Sequence, residues 1–156
     1  MQPDIAGVPT PALRFPLGLV AAVVATLAMD IVMARLPEGT TPPQVAASVL
    51  TESHPDSAPR RLASVVHYLA GGLTGPLFVW LLYAGEFAVD APRLTTTLLT
   101  AGVLLVLMLG FFIGVVLPRS RLRSDRRVPV ARDWALSAVT YLVVLVPVVH
   151  VGTELL

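Results

Sequence analysis

Four apolar runs, each about as long as a bilayer is thick, constrain this chain more than any other feature. They run from about Phe15 to Leu36, Leu62 to Phe87, Leu94 to Leu117 and Asp133 to Gly152. A helix needs about 20 mostly apolar residues to cross the hydrocarbon core. A buried helix of a soluble protein would carry polar stripes at a period of 3.6, and these runs lack them. Breakers mark the gaps: Pro37 and Gly39, then Pro92, then Pro118. Pro76 and Pro147 lie inside the second and fourth runs, where a membrane helix tolerates them with a local kink. The expected fold is all-α. It is a four-helix transmembrane bundle, antiparallel and up-down, with residues 15–156 as one domain. Residues 1–14 (MQPDIAGVPTPALR) hold three prolines and little apolar periodicity, and are expected to form a short disordered tail. The first run is too long for the apolar region of a signal peptide, and no small-x-small cleavage site follows it.

Composition excludes several function classes. Charged residues make up 13% of the chain, about half the share usual in a soluble domain, and the mean hydropathy is +0.78. A net charge of +1 gives no electrostatic case for nucleic acid as a partner. With no cysteine there is no disulfide, no thiolate metal site and no thiol nucleophile.

Arginine placement gives the expected orientation. Arg35, Arg60 and Arg61 flank the loop between spans one and two, and Arg119, Arg121, Arg123, Arg126, Arg127 and Arg132 fill the loop between spans three and four. Only Arg14 and Arg93 fall on the other side. The positive-inside rule puts the Arg-rich loops in the cytoplasm, so both termini are expected outside the plasma membrane. Trp80, Tyr83 and Phe87 at the outer end of span two, and Trp134 at the inner end of span four, occupy aromatic-belt levels. The run RSRLRSDRR (119–127) reads as a topology determinant close to anionic lipid, with a lipid-headgroup site as the alternative.

The loop between spans one and two is longer than a connection requires. Thr41, Pro42, Pro43 and Gln44 read as an N-cap, a proline start and a capping-box partner. Val45, Val49 and Leu50 follow on one face, which predicts a short amphipathic helix on the cytoplasmic membrane surface.

Two spans carry ionisable groups on small-residue stripes. Gly18, Ala22, Thr26, Asp30 and Ala34 recur every four residues along one face of span one. His67, Gly71 and Gly75 do the same on span two. Small residues let helices approach closely, and threonine can hydrogen-bond across the contact. Asp30 lies five residues before Arg35 and His67 six after Arg61, so both sit about 8–9 Å from the inner markers. An Asp30–His67 hydrogen bond or ion pair is expected, since intramembrane ionisable groups normally pair. His150, 18 residues after Arg132, belongs near the outer surface with Glu154, as an interfacial histidine or half of a weak metal site. His54 lies in the cytoplasmic loop. Gly102, Gly110 and Gly114 on span three read as a packing face. The hydroxyls of Ser137, Thr140 and Tyr141 either line a polar interior or bond their own helix.

The order of these features resembles a family of small four-span prokaryotic integral membrane proteins classed as a domain of unknown function. The likeness rests on Met29, Asp30 and Met33, the segment PPQVAASVL, and the series His67, Gly71, Gly75, Tyr83, covering about residues 15–87. It implies a four-helix membrane bundle with His67 and Gly71 as recurring positions, and no activity. The expected function is therefore a non-enzymatic bundle that associates with itself or a membrane partner, in contact with lipid. It has no catalytic residues, cofactor or metal. The alternative is a proton or small-solute transporter component using Asp30 and His67; a membrane enzyme or a haem or quinone protein comes third.

Overall fold

The computed structural model describes residues 11–156. Among them there are five helices, one 3-10 turn and no strand: α1 (Pro11–Met33), α2 (Thr41–Thr51), the turn Pro55–Ser57, α3 (Arg60–Ala88), α4 (Arg93–Arg119) and α5 (Ser124–Leu155). Four of the helices, α1, α3, α4 and α5, are long and apolar enough to cross a membrane.

Two boundaries differ from the sequence expectation. Helix α1 is described from Pro11, so residues 11–14 of the segment expected as a tail are helical. Residues 1–10 of that expected tail lie outside the described residues. Helix α5 starts at Ser124, nine residues before Asp133. Falling hydropathy marks where hydrocarbon ends, not where a helix must end. Arginine is a good helix former, and Asp125 in the first turn complements the helix dipole. Arg126, Arg127 and Arg132 are therefore helical residues rather than loop residues.

Helix α4 is α-helical to Phe111, then takes one π-helical turn over Phe112–Val116, in which the Leu117 N–H bonds the Phe112 carbonyl five residues back. Pro118 follows at once and has no N–H to continue the ladder.

The central contact is α1 on α3, and it depends on missing side chains. A Cβ added to Gly75 would lie 2.7 Å from the Gly18 carbonyl carbon and 2.6 Å from the Ala22 Cβ. One added to Gly71 would meet the Thr26 side chain. Residue numbers rise along α1 as they fall along α3: Arg14 with Glu86, Gly18 with Gly75, Thr26 with Gly71, Asp30 with His67. Around this contact Met29, Phe78, Leu82, Leu104, Tyr141 and Leu145 form the core. Val20, Leu27, Leu73, Val106 and Val143 face outward.

Helix α2 docks on the bundle through Val45 and Ala47. Val45 is fully buried with Phe112, Leu117, Leu122 and Val130, whereas Leu50 is 65% exposed and Val49 half-buried. Ala47 packs separately with Ala58 and Ala63, so α2 buries residues toward two partners. The cap also moves: Thr40 is the N-cap residue, and the Thr41 hydroxyl donates to Glu38 Oε2 at 2.6 Å. Gly39 brings the chain back over the end of α1, where an added Cβ would sit 2.8 Å from the Met33 Cα.

Candidate functional site

The ionisable groups of α1 and α3 meet. His67 Nε2 lies 2.7 Å from Asp30 Oδ1, and the Tyr68 hydroxyl donates to Asp30 Oδ2 at 2.8 Å. Each carboxylate oxygen thus has its own partner, and an ionised Asp30 accepts from both. The His67 and Tyr68 rings sit edge to face with centroids 5.2 Å apart. The His67 side chain is 10% exposed and that of Asp30 30%. Tyr68 was not singled out from sequence. Its position beside His67 in the HYLAGG segment was the available signal, but a rotamer decides whether a tyrosine reaches back across a helix contact.

His67 stands between two spaces of unlike character. One, of about 260 Å³, is bounded by Asp30, Thr40, Gln44, Arg60, Ser64 and Tyr68. The other, of about 180 Å³, is an apolar cleft bounded by Met29, Ala46, Ala70, Met108, Phe111 and Trp134. The imidazole borders both. The arrangement can share a proton between imidazole and carboxylate, and it can hold two helices at one register.

A second polar cluster joins the segments that carry most of the arginines. Arg126 grips Glu38 with two parallel bonds, Nε to Oε1 at 2.9 Å and Nη2 to Oε2 at 2.8 Å, and donates to Asp56 at 3.1 Å. The Glu38 N–H donates to Asp133 Oδ2 at 2.8 Å, while Arg132 holds the other Asp133 oxygen at 2.9 Å. The Asp133 side chain is fully buried. The Arg126 guanidinium, hydrogen-bonded to Glu38, keeps that carboxyl below its ordinary value near 4.5 against the opposing effect of burial.

The five arginines of the 119–127 run have different surroundings. Arg126 is committed to acids of the same chain, and Arg127 donates to the Leu122 carbonyl at 3.3 Å. Arg119, Arg121 and Arg123 remain exposed, with Arg123 paired to Asp125 at 3.1 Å. Helix α5 begins early enough to turn residues 126 and 127 inward, and the spacing of charges alone does not reveal that.

At the far end of α1, the Arg14 guanidinium donates to both Glu86 oxygens at 2.8 and 3.1 Å and lies 5.0 Å from the Tyr83 ring centre. At 4% exposure it is a buried member of the bundle, not part of a tail.

Gly18, Ala22, Thr26, Gly71 and Gly75 lie in the α1–α3 contact. Among the described residues Gly110 and Gly114 have no close neighbour: a Cβ at either would find nothing within 4 Å. Both lie on the outward side of α4, whose inward side carries Leu104 and Phe112. Ala34, the last member of the α1 stripe, is also exposed, because the helix has ended at Met33. Ser137 and Thr140 bond their own helix, at the Asp133 and Leu136 carbonyls. Tyr141 instead reaches across to the Gly71 carbonyl at 2.7 Å. His150 lies 3.6 Å from Glu154 and 3.4 Å from the Thr97 hydroxyl. Among the described residues no three His, Asp or Glu side chains are grouped to hold a metal ion.

Comparison with protein-family models, with curated proteins and with solved structures finds no match in any of the three.

Proposed function

We propose that this is a small multi-pass protein of the plasma membrane, a non-enzymatic four-helix bundle that associates with itself or a membrane partner. Its spans run antiparallel, up and down. The Arg-rich segments and α2 lie on the cytoplasmic side, and both termini are extracytoplasmic. The opposed series of residue pairs along α1 and α3 supports the antiparallel arrangement. The arginine distribution supports the orientation. The resemblance to small four-span prokaryotic membrane proteins agrees with this reading and rests on motif order alone. Gly110 and Gly114, outward and without neighbours among the described residues, suit close approach by a helix of another copy or partner.

The observation that carries the reading is the Asp30–His67–Tyr68 cluster beside a glycine contact, where the polar bonds lock the register of two closely packed helices. The test is thermal stability in detergent alongside proton flux in liposomes for Asp30→Asn and His67→Ala. A lock predicts lower melting temperatures and no flux in any variant, wild type included. Single-cysteine labelling at position 121, in a chain with no native cysteine, tests the orientation; labelling from outside intact cells overturns it.

A second reading is proton transfer, favoured by His67 bordering both the polar space and the apolar cleft. It predicts wild-type proton flux that is lost in variants of unchanged melting temperature.

A further inference from the structure

The apolar cleft beside His67 has its mouth between α3 and α4. Ala70 and Phe111, the latter 64% exposed, stand at that mouth with Met108. Met29 and Trp134 form the floor, and Ala46 of α2 forms the roof. Helices α3 and α4 touch toward the other end of the bundle, where Gly85 faces Thr96 and Thr100. Nearer their Val66 and Val116 ends, residues of both helices line the cleft. An apolar cavity of about 150 Å³ admits a benzene-sized hydrocarbon, so a cleft of about 180 Å³ has room for part of one acyl chain.

Charge specifies what the chain belongs to. Val66 and Val116 line the cleft nearest the Arg-rich rim. Arg60 and Arg61 lie five or six residues from Val66, and Arg119 lies three from Val116, which puts their Cα atoms about 5–9 Å beyond those valines along the helices, with the Arg119 guanidinium turned back to donate to the Val115 carbonyl at 3.0 Å. All three are exposed, and among the described residues none forms an ion pair.

We propose that this cleft holds one acyl chain of an anionic glycerophospholipid of the cytoplasmic leaflet, with Arg60, Arg61 and Arg119 around its headgroup. The inference rests on the membrane-spanning reading with the Arg-rich rim inside. It converts that rim from a general topology signal into a lipid site with a defined slot for the chain.

The two tryptophans make the test internal. Trp80 is 59% exposed on the outward side of α3, and Trp134 is in the cleft floor. Single-tryptophan variants, Trp80→Phe and Trp134→Phe, are placed in vesicles containing chain-brominated phosphatidylglycerol or chain-brominated phosphatidylcholine, and fluorescence quenching is followed against mole fraction. Trp134 is expected to reach half-maximal quenching at an at least about fivefold lower fraction of the anionic lipid, the factor expected from one basic residue near a headgroup. Filling the cleft with Ala70→Phe, or independently with Ala46→Leu from the roof, removes Trp134 quenching and leaves Trp80 quenching unchanged. Equal curves for the two lipids overturn the anionic headgroup. Trp134 quenching that is absent, or that survives both filling substitutions, overturns the cleft. Failure of any lipid to quench Trp80 brings down the membrane-spanning reading itself, and so is distinct from failure of the cleft alone.

Discussion

The two main polar clusters of the molecule use the same kinds of groups in different ways. In the Glu38–Arg126–Asp133 cluster, two carboxylates are saturated by bidentate arginine, by a backbone N–H and by a second arginine, and three chain segments converge. In the Asp30–His67–Tyr68 cluster, one carboxylate has two neutral-capable partners on a single neighbouring helix, and open space borders both sides of the imidazole. A site whose carboxylate oxygens are each bonded by an arginine or a backbone N–H is built to hold. A site with two partners on one helix and open space beside it is held by fewer bonds.

The largest expected effect breaks the frame that both clusters share. Gly75→Leu forces side-chain atoms into the Gly18 backbone, and should destabilise the bundle by about 3 kcal/mol or prevent folding, read as loss of the monodisperse species in detergent. Glu38→Ala comes next. It strips Arg126 of its bidentate partner and should cost about 1.5–3 kcal/mol, measured by thermal unfolding. If Glu38→Ala is silent, the contrast between a holding cluster and one held by fewer bonds fails.

The pH dependence sharpens the same contrast. Glu38 has its carboxyl lowered by Arg126, so it binds fewer protons folded than unfolded. Its contribution is fully present above about pH 4.5 and is lost as pH falls through the depressed value. The melting temperature should therefore stay level on this account down to about pH 5 and drop below it. Glu38→Gln should remove that part of the drop.

Asp30→Asn should cost less, about 0.6–1.7 kcal/mol, the range of hydrogen bonds between membrane helices. An effect as large as that of Glu38→Ala would show the Asp30 cluster to be equally rigid. The smallest effect is expected at Arg121, which is exposed. Arg121→Gln should leave the melting temperature unchanged, while Arg126→Gln lowers it.

Much of the architecture was legible because it depends on local properties. Spans are read from about 20 consecutive apolar residues, and helix rise alone puts Asp30 and His67 at one level. The rest depended on distant segments. Glu38 and Arg126 are 88 residues apart, and Glu38 and Asp133 are 95 apart. No local pattern marks them as partners, and a charge-rich segment reads as solvent-facing loop until a helix turns two of its arginines inward. Gly110 and Gly114 carry the same spacing as Gly71 and Gly75, yet among the described residues only the latter pair meets a neighbour. Spacing tells that two residues share a face, not which way the face turns.

By itself the sequence determined four apolar helices, their small-residue stripes and the levels of their polar groups, because periodicity and rise per residue belong to each helix alone. Only the tertiary structure decided which stripe meets which, that Tyr68 completes the Asp30 site, that Arg126 serves Glu38, and that residues of α3 and α4 line a cleft. Those outcomes depend on the rotation of each helix about its axis, and that rotation is set by packing against all the others at once.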